Sequence, residues 1–548
     1  MNRVTRVIVS IGLPLLWFLG GQTFAADWLQ QMGPDRNGII PAAVAGKLAA
    51  SFPGQKPPVL WQANVGFGTA PVVVKEGRVF TFGLFRSGGT PNQLADPKSA
   101  PTFNEIREMT FGEKPAPAQF MSRDLPDTPA FEENHFCFRG DEYASCLEAA
   151  TGKLIWATKL TGFGLAYANH AAWDMASPLL AQGKLYLHSP VGRLYCLDAA
   201  NGALIWQRNL FECQMFRWTE KQGNACGPLT FGDTILVSYT GRVGTNYTSP
   251  EGTTCTVIAG FDAATGQTRW VTKSPYESFR PMNTRLGWAE INGQLTVLVP
   301  GGTGTVGIDP ASGKIRWSHA MPREKDVWAP YPAYAPVAWQ NFVLDDSSVA
   351  HDDRPSRTWC LQIVNNVPNL LWENHDFVPH TEIFKSNLIA RDGKFYGFDA
   401  HGIWDTPGKP SDQRGPNIAP GRNFRGSAVG QFQCRDIATG KLLWSTNAFE
   451  PPEVNPLKWP GEWNPTLFIM AGDRLIVQNE WGLWIAQMKP DDVVVQARWK
   501  EFRGHAGEPV LVAGKLYARQ VDCRDQPGNL ACLDLSGPNT RGAAPGAR

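Results

Sequence analysis

The 548 residues carry 51 Lys and Arg against 50 Asp and Glu, a net charge of +1 with no dense basic run. That excludes nucleic acid as the main partner, because phosphate binding needs clustered cations. Gly at 55, Pro at 43 and Trp at 21, with few long helical periodicities, point to many short strands joined by tight turns.

In chain order, residues 1–25 read as a secretory signal. Arg3 and Arg6 precede the apolar VIVSIGLPLLWFLGG, and Thr23-Phe24-Ala25 ends it with small residues at the cleavage positions. Cleavage after Ala25 exposes no cysteine for lipid attachment. The mature chain is expected in an exported, oxidising compartment, periplasmic or secreted. No later run reaches the roughly 20 apolar residues that span a bilayer, so an integral membrane protein is not expected. Residues 26–58 form an N-terminal extension, and 536–548 a disordered tail.

Self-similarity then dominates. Five copies of one nine-residue frame occur: EAATGKLIW (148–156), DAANGALIW (198–206), DAATGQTRW (262–270), DPASGKIRW (309–317) and DIATGKLLW (436–444). The leading acid can accept turn hydrogen bonds, and the Gly supplies positive φ at a bulge, so each frame is a hairpin turn with its Trp on the return strand. Upstream of most frames lies a strand, a Gly-containing turn and a second strand, as in SPLLAQGKLYLHSP (177–190) and LIARDGKFYGFD (388–399). Four short antiparallel strands recurring at about 40 to 50 residues are the signature of a β-propeller.

Weaker returns at Trp61, Trp372 and Trp499 join the five frame tryptophans to make eight. Trp61 has no unit before it, whereas the last unit (507–535) has no Trp strand. The expected fold is therefore all-β: an eight-bladed propeller of four-stranded antiparallel blades over 59–535, closed by the N-terminal strand completing the last blade. Insertions near 84–131 and 401–427 interrupt the first and sixth blades; loops of that length are usually functional or disordered.

The D-A-x-T-G-x-x-x-W frame resembles the pyrroloquinoline-quinone-type (PQQ-like) repeat. DWLQQMGPDRNGI (27–39) is similar to the W-x-Q-x-x-G-P-x-R-x-G opening of secreted PQQ-like repeat proteins common in planctomycete and verrucomicrobial bacteria, and DCRDQPGNLACLDL (522–535) to their closing strands. The resemblance spans nearly all of the mature chain and implies a quinoprotein alcohol dehydrogenase-like propeller. Members include quinoprotein alcohol and sugar dehydrogenases and non-catalytic scaffolds such as the propeller lipoprotein of outer-membrane barrel assembly. A dehydrogenase of this kind uses a Trp under the quinone, a Ca²⁺ on carboxylate and amide oxygens, a carboxylate base and often a Cys-Cys pair. This chain has no Cys-Cys dipeptide and no C-x-x-C-H haem site.

Propeller ligands meet the loops that enter the innermost strands. Those loops here hold His170, Trp173, Asp174, Arg217, Trp218, Glu220, Arg285, Trp288, Trp328, His380, Glu382, Trp463, Asn464, His505 and Glu508. On the resemblance, Asp174, Glu220, Glu382 or Glu508 would be base or Ca²⁺ ligands and Trp218 or Trp288 the stacking surface. Alternatively, these side chains satisfy buried backbone and plug the channel. Two functions stay open: a binding or scaffold module presenting its channel mouth to a protein, glycan or small ligand, or a PQQ- and calcium-dependent dehydrogenase of an alcohol or sugar. Paired carboxylates of a carbohydrate-active enzyme are a third, weaker reading, since no separation is fixed. His375 and His380 lack further metal ligands nearby.

Cys146, Cys196, Cys360, Cys434 and Cys532 all stand just before the frame position, where a small buried side chain fits. Cys137 lies nine residues before Cys146, and Cys523 nine before Cys532. If each pair faces across a hairpin, both are within disulfide reach, and Cys213 with Cys226 is a third possible pair.

Overall fold

The computed structural model describes residues 27–52, 56–68, 70–86, 137–138, 140–161, 164–165, 176–189, 193–210, 226–242, 254–278, 285–321, 330–332, 335–349, 357–377, 379, 384–399, 431–449, 464–479, 481–502, 507–520 and 529–537. Eight antiparallel sheets follow one another along the chain. Blade 1 is Val73–Lys75, Arg78–Arg86, Gly140–Glu148 and Leu154–Thr161; blades 2 to 7 repeat the order between residues 179 and 499. Blade 5 adds a strand at Pro330–Pro332, and Phe384–Ser386 pairs in parallel with the first strand of blade 7. In blade 8 the strands Val510–Val512, Lys515–Gln520 and Asn529–Asp534 are completed by Val59–Asn64, with Trp61 opposite Cys532. The expected ring closure is thus observed.

Local sequence explains the two kinds of hairpin. Between the first two strands, two-residue turns such as Gln182-Gly183 and Asn292-Gly293 have positive φ at both residues, the turn that matches the strands' right-handed twist. Between the last two, the frame closes on itself. In blade 2, Gly202 N–H donates to Asp198 C=O at 2.8 Å, and the Asp198 carboxylate accepts from the N–H groups of Ala200 and Asn201 at 2.7 and 3.2 Å. A bulge then follows beside the Trp, for example between Cys196 and Leu197.

The frame Trp residues pack between blades. Trp61, Trp156, Trp206, Trp270 and Trp372 lie on the frame glycines of the next blade, Gly152, Gly202, Gly266, Gly313 and Gly440, where a Cβ would overlap the indole. Several also donate Nε1–H to that frame's backbone, Trp61 to Ala149 C=O at 3.0 Å and Trp372 to Ile437 C=O at 2.9 Å. Apolar clusters accordingly form between neighbouring blades: Leu179, Tyr186, Val237 and Phe261 join blades 2 and 3, and Phe398, Phe432, Phe468 and Trp484 join blades 6 and 7. At the ring seam, buried Arg519 of blade 8 donates to Ala70 C=O and Phe82 C=O, both at 2.8 Å, and to Gly66 C=O at 2.9 Å, clasping blade 1.

The disulfide expectation is corrected. Cys146 and Cys532 are free, buried thiols. Gly140–Glu148 is one continuous strand, so no hairpin folds Cys137 onto Cys146; Cys137 faces Leu165 in a separate strand pair. Cys146 is flanked by Phe80 and Trp156, and Cys532 by Tyr517 and Trp61. In seven of the eight blades the position opposite the Trp takes a small residue, Cys in five and Gly260 and Gly307 opposite Trp270 and Trp317; in blade 7 Leu483 faces Trp499. Burial pushes the Cys146 and Cys532 thiols up to about 12, which keeps them protonated and inert. Cys226 and Cys255 are also free; Cys213 and Cys523 lie outside the described residues.

Residues 27–46 are no loose extension. The first strands of successive blades neighbour one another around the axis, leaving inner edges with unpaired backbone groups. Trp28 exchanges two 2.8 Å backbone bonds with Val74 of blade 1, and Leu29 C=O accepts from Leu180 N–H of blade 2. Gly38 and Ile40 bond Met470 of blade 7, and Val44 and Ala45 accept from Ala513 and Gly514 of blade 8. Gly38, at φ +74, has no room for a Cβ because Ile389 of blade 6 lies 2.7 Å from it. The segment thus crosses the axis from blade to blade. Among the described residues no helix is long and apolar enough to cross a membrane.

Candidate functional site

Ser177, Cys226, Arg285 and Glu508 stand two or three positions before the inner strands that begin at Leu179, Leu229, Gly287 and Val510. They therefore share one level of the channel, at the end where the chain enters the inner strands. Arg285 and Glu508, both expected near a mouth, meet directly: Arg285 Nη1 lies 2.6 Å from Glu508 Oε2, with side chains 4% and 0% exposed. Glu508 Oε1 accepts from Ser177 Oγ and from Met32 N–H, each at 3.3 Å. The Gln31 amide abuts Arg285, and both groups find partners when its oxygen faces the guanidinium.

Arg36 completes the cluster. It sits in tight turns, its N–H bonded to Gly33 C=O at 3.1 Å and Gly38 N–H to Met32 C=O at 3.0 Å. Burial lowers its guanidinium to about 10, against the opposing pull of Cys226 and Glu508, while the like charge of Arg285 lowers it further. Three blades and the N-terminal segment thus converge on one carboxylate and two guanidiniums. Ser177, Gln31 and Arg36 were not among the sequence candidates. The signal for Arg36 was the W-x-Q-x-x-G-P-x-R-x-G opening, which contains it; Gln31 falls on one of its unspecified positions.

The other candidates divide clearly. Trp288, on the inner strand of blade 4, is half-buried against Phe231 of blade 3, their ring centroids 6.4 Å apart. Asn464 begins the first strand of blade 7, opposite Phe384. His375 is half-buried, 3.7 Å from Glu373 Oε1, and no group of three metal-binding side chains occurs among the described residues. His170, Trp173, Asp174, Arg217, Trp218, Glu220, Trp328, His380, Glu382, Trp463 and His505 lie outside the described residues, as do nearly all of the 84–131 and 401–427 insertions.

Buried carboxyls lie elsewhere between blades. Burial raises Glu142 to about 7, opposed by the Ser189 hydroxyl that donates at 2.7 Å and by the charge of Arg193. Burial likewise raises Asp346 to about 8 and its neighbour Asp345 upward, the latter accepting from Thr305 Oγ1 at 2.6 Å. A carboxyl whose folded pKa is raised binds more protons folded than unfolded, so its stabilisation is complete below the unfolded value and lost as pH rises through the folded one. For Glu142 that window runs from 4.5 to about 7. The urea midpoint is expected to fall from pH 5 to pH 7.5, and Glu142→Gln to flatten that fall; an unchanged slope in the variant contradicts the assignment.

The family described as outer membrane protein assembly factor BamB matches residues 140–392. A europium-containing methanol dehydrogenase superposes with a TM-score of 0.53 at 11% identity, over 93% of this chain and 98% of that one. A quinohemoprotein alcohol dehydrogenase from Comamonas testosteroni gives 0.50 at 14%, over 95% and 83%. BamB from Moraxella catarrhalis gives 0.42 at 14%, over 72% and 91%. No curated protein matches the sequence. At such identities the likeness shows the fold alone. Blade topology and the methanol dehydrogenase superposition show an eight-bladed β-propeller, and residues 140–392 match the PQQ-like family model.

Proposed function

We propose that the protein is an exported binding or scaffold module that receives its partner at the propeller face where the chain enters the inner strands. The observation that carries this reading is the filled axis: residues 28–46 pair with the inner strands of blades 1, 2 and 7 and with the hairpin turn after the inner strand of blade 8, and the Arg285–Glu508 pair locks their turn in place. A quinone dehydrogenase needs a planar slot on that axis and free oxygen ligands for its cation. Glu508 is the one candidate carboxylate described. One of its oxygens accepts from Arg285, the other from Ser177 and Met32, and two guanidiniums beside it repel a divalent ion. The described axial residues do not fit a calcium-bound quinone. The assembly-factor description over residues 140–392 favours a protein over a glycan or small molecule as partner. The reading is tested by adding PQQ and Ca²⁺ to the purified protein. No quinone absorbance shift, no thermal stabilisation and no dye-linked oxidation are expected with ethanol or glucose. Oxidation of either substrate overturns it in favour of the dehydrogenase.

A further inference from the structure

The segment that fills the axis lies against one side of it. In blades 1 and 2 the second residues of the inner strands, Val74 and Leu180, turn their backbone groups inward. Both are sealed: Val74 exchanges two 2.8 Å bonds with Trp28, and Leu180 N–H donates to Leu29 C=O at 2.8 Å, leaving each 3% exposed. The segment then leaves this path. Gln31 and Met32 join the Arg285–Glu508 cluster, and the chain returns along blade 7, where Gly38 and Ile40 bond Met470 and Gly38 packs against Ile389 of blade 6.

Blades 3, 4 and 5 continue the ring at the level the segment has left. Thr230, Trp288 and Ala338 are the second residues of their inner strands. Like Val74 and Leu180, each follows the residue that stands in register with the small residue opposite its blade's Trp. The same register turns their N–H and C=O groups to the axis, and among the described residues no segment pairs with them there. All three are half-buried, as are Phe231 and Trp339 beside them, so solvent reaches this wall. Glu290 is exposed further along the blade 4 strand.

We propose that the wall of blades 3 to 5 is a groove for an extended peptide of a partner protein, which bridges the three inner strands blade by blade as Trp28 and Leu29 bridge blades 1 and 2. Unpaired edge N–H and C=O groups are a template for an added strand. The half-buried rings of Phe231, Trp288 and Trp339 give its side chains apolar contact, and Glu290 favours a Lys or Arg at the end nearest the blade 4 turn. The groove lies along the inner strands, beyond the Arg285–Glu508 level, and is separate from the partner face proposed above.

The test uses the full chain and capped pentapeptides with lysine first and the remaining positions drawn from Val, Ile, Leu, Thr and Trp. Hydrogen exchange is expected to slow at 229–231, 287–291 and 337–339 when they bind. Glu290→Gln is expected to weaken binding by about two- to five-fold, the worth of an exposed charge pair. Methylating the peptide nitrogens removes their donors, leaves the side chains in place and is expected to abolish binding. Absence of protection, protection confined to other segments, or equal binding of the methylated peptides overturns the proposal. Protection of these strands by cellobiose and not by the peptides makes the wall a sugar site and overturns it too.

Discussion

Glu508→Ala is expected to lower stability by about 3 to 5 kcal/mol, the cost of leaving a buried ionic partner uncompensated. Arg285 loses its 2.6 Å contact, Ser177 and Met32 N–H lose their acceptor, and two buried guanidiniums face each other with no carboxylate between them. The loss is not a measure of what the pair contributes. Glu508→Leu combined with Arg285→Met replaces the pair by apolar groups of similar size and should recover much of the stability. Chemical denaturation of the single and double variants checks both statements. A single variant within about 1 kcal/mol of wild type would show that the cluster is solvated and the axis open.

Gly202→Ala is expected to cost roughly 2 to 5 kcal/mol, from two separable sources. At φ +77 any side chain is strained, by about 1 to 2 kcal/mol. The new Cβ would also overlap the Trp156 ring and crowd Thr158 Oγ1, and overpacking of this kind adds about 1 to 3 kcal/mol. Gly183→Ala is the control: its φ is +72, with nothing within 4 Å of the new Cβ, so only the backbone cost applies. Equal denaturation midpoints for the two variants would refute the idea that the frame glycine is a seat for the neighbouring blade's indole.

Gly202 also shows how far local pattern reaches. A positive-φ turn is a property of a few consecutive residues, so the frame announced it. The indole that occupies the space above Gly202 comes from position 156, a blade away, and no local pattern contains it. The cysteines failed for the complementary reason. Their spacing allowed a hairpin between Cys137 and Cys146, but the real partner of Cys146 is Phe80, reached across a connection of about 50 residues that spacing along the chain cannot see. The small-residue requirement at that site was read correctly, and the purpose it serves is to face a Trp.

The site was legible only in part. Arg285 and Glu508 stood out as charged residues at the entrances of inner strands, yet nothing in the sequence joined positions 223 residues apart into one ion pair. Residues 27–39 were visible as a motif and expected as an extension outside the propeller. In the structure the inner edges of blades 1, 2 and 7 recruit that segment, because edge N–H and C=O groups buried at an axis must find partners.

By itself the sequence determined the repeat, the blade count, the hairpin chemistry and the strand that closes the ring, since each follows from short-range patterning or from counting units. Only the tertiary structure decided that the N-terminal segment fills the axis and that Arg36, Arg285 and Glu508 share one buried site. Those contacts join residues hundreds of positions apart, and their energy comes from burial and charge pairing that exist only once the ring has closed.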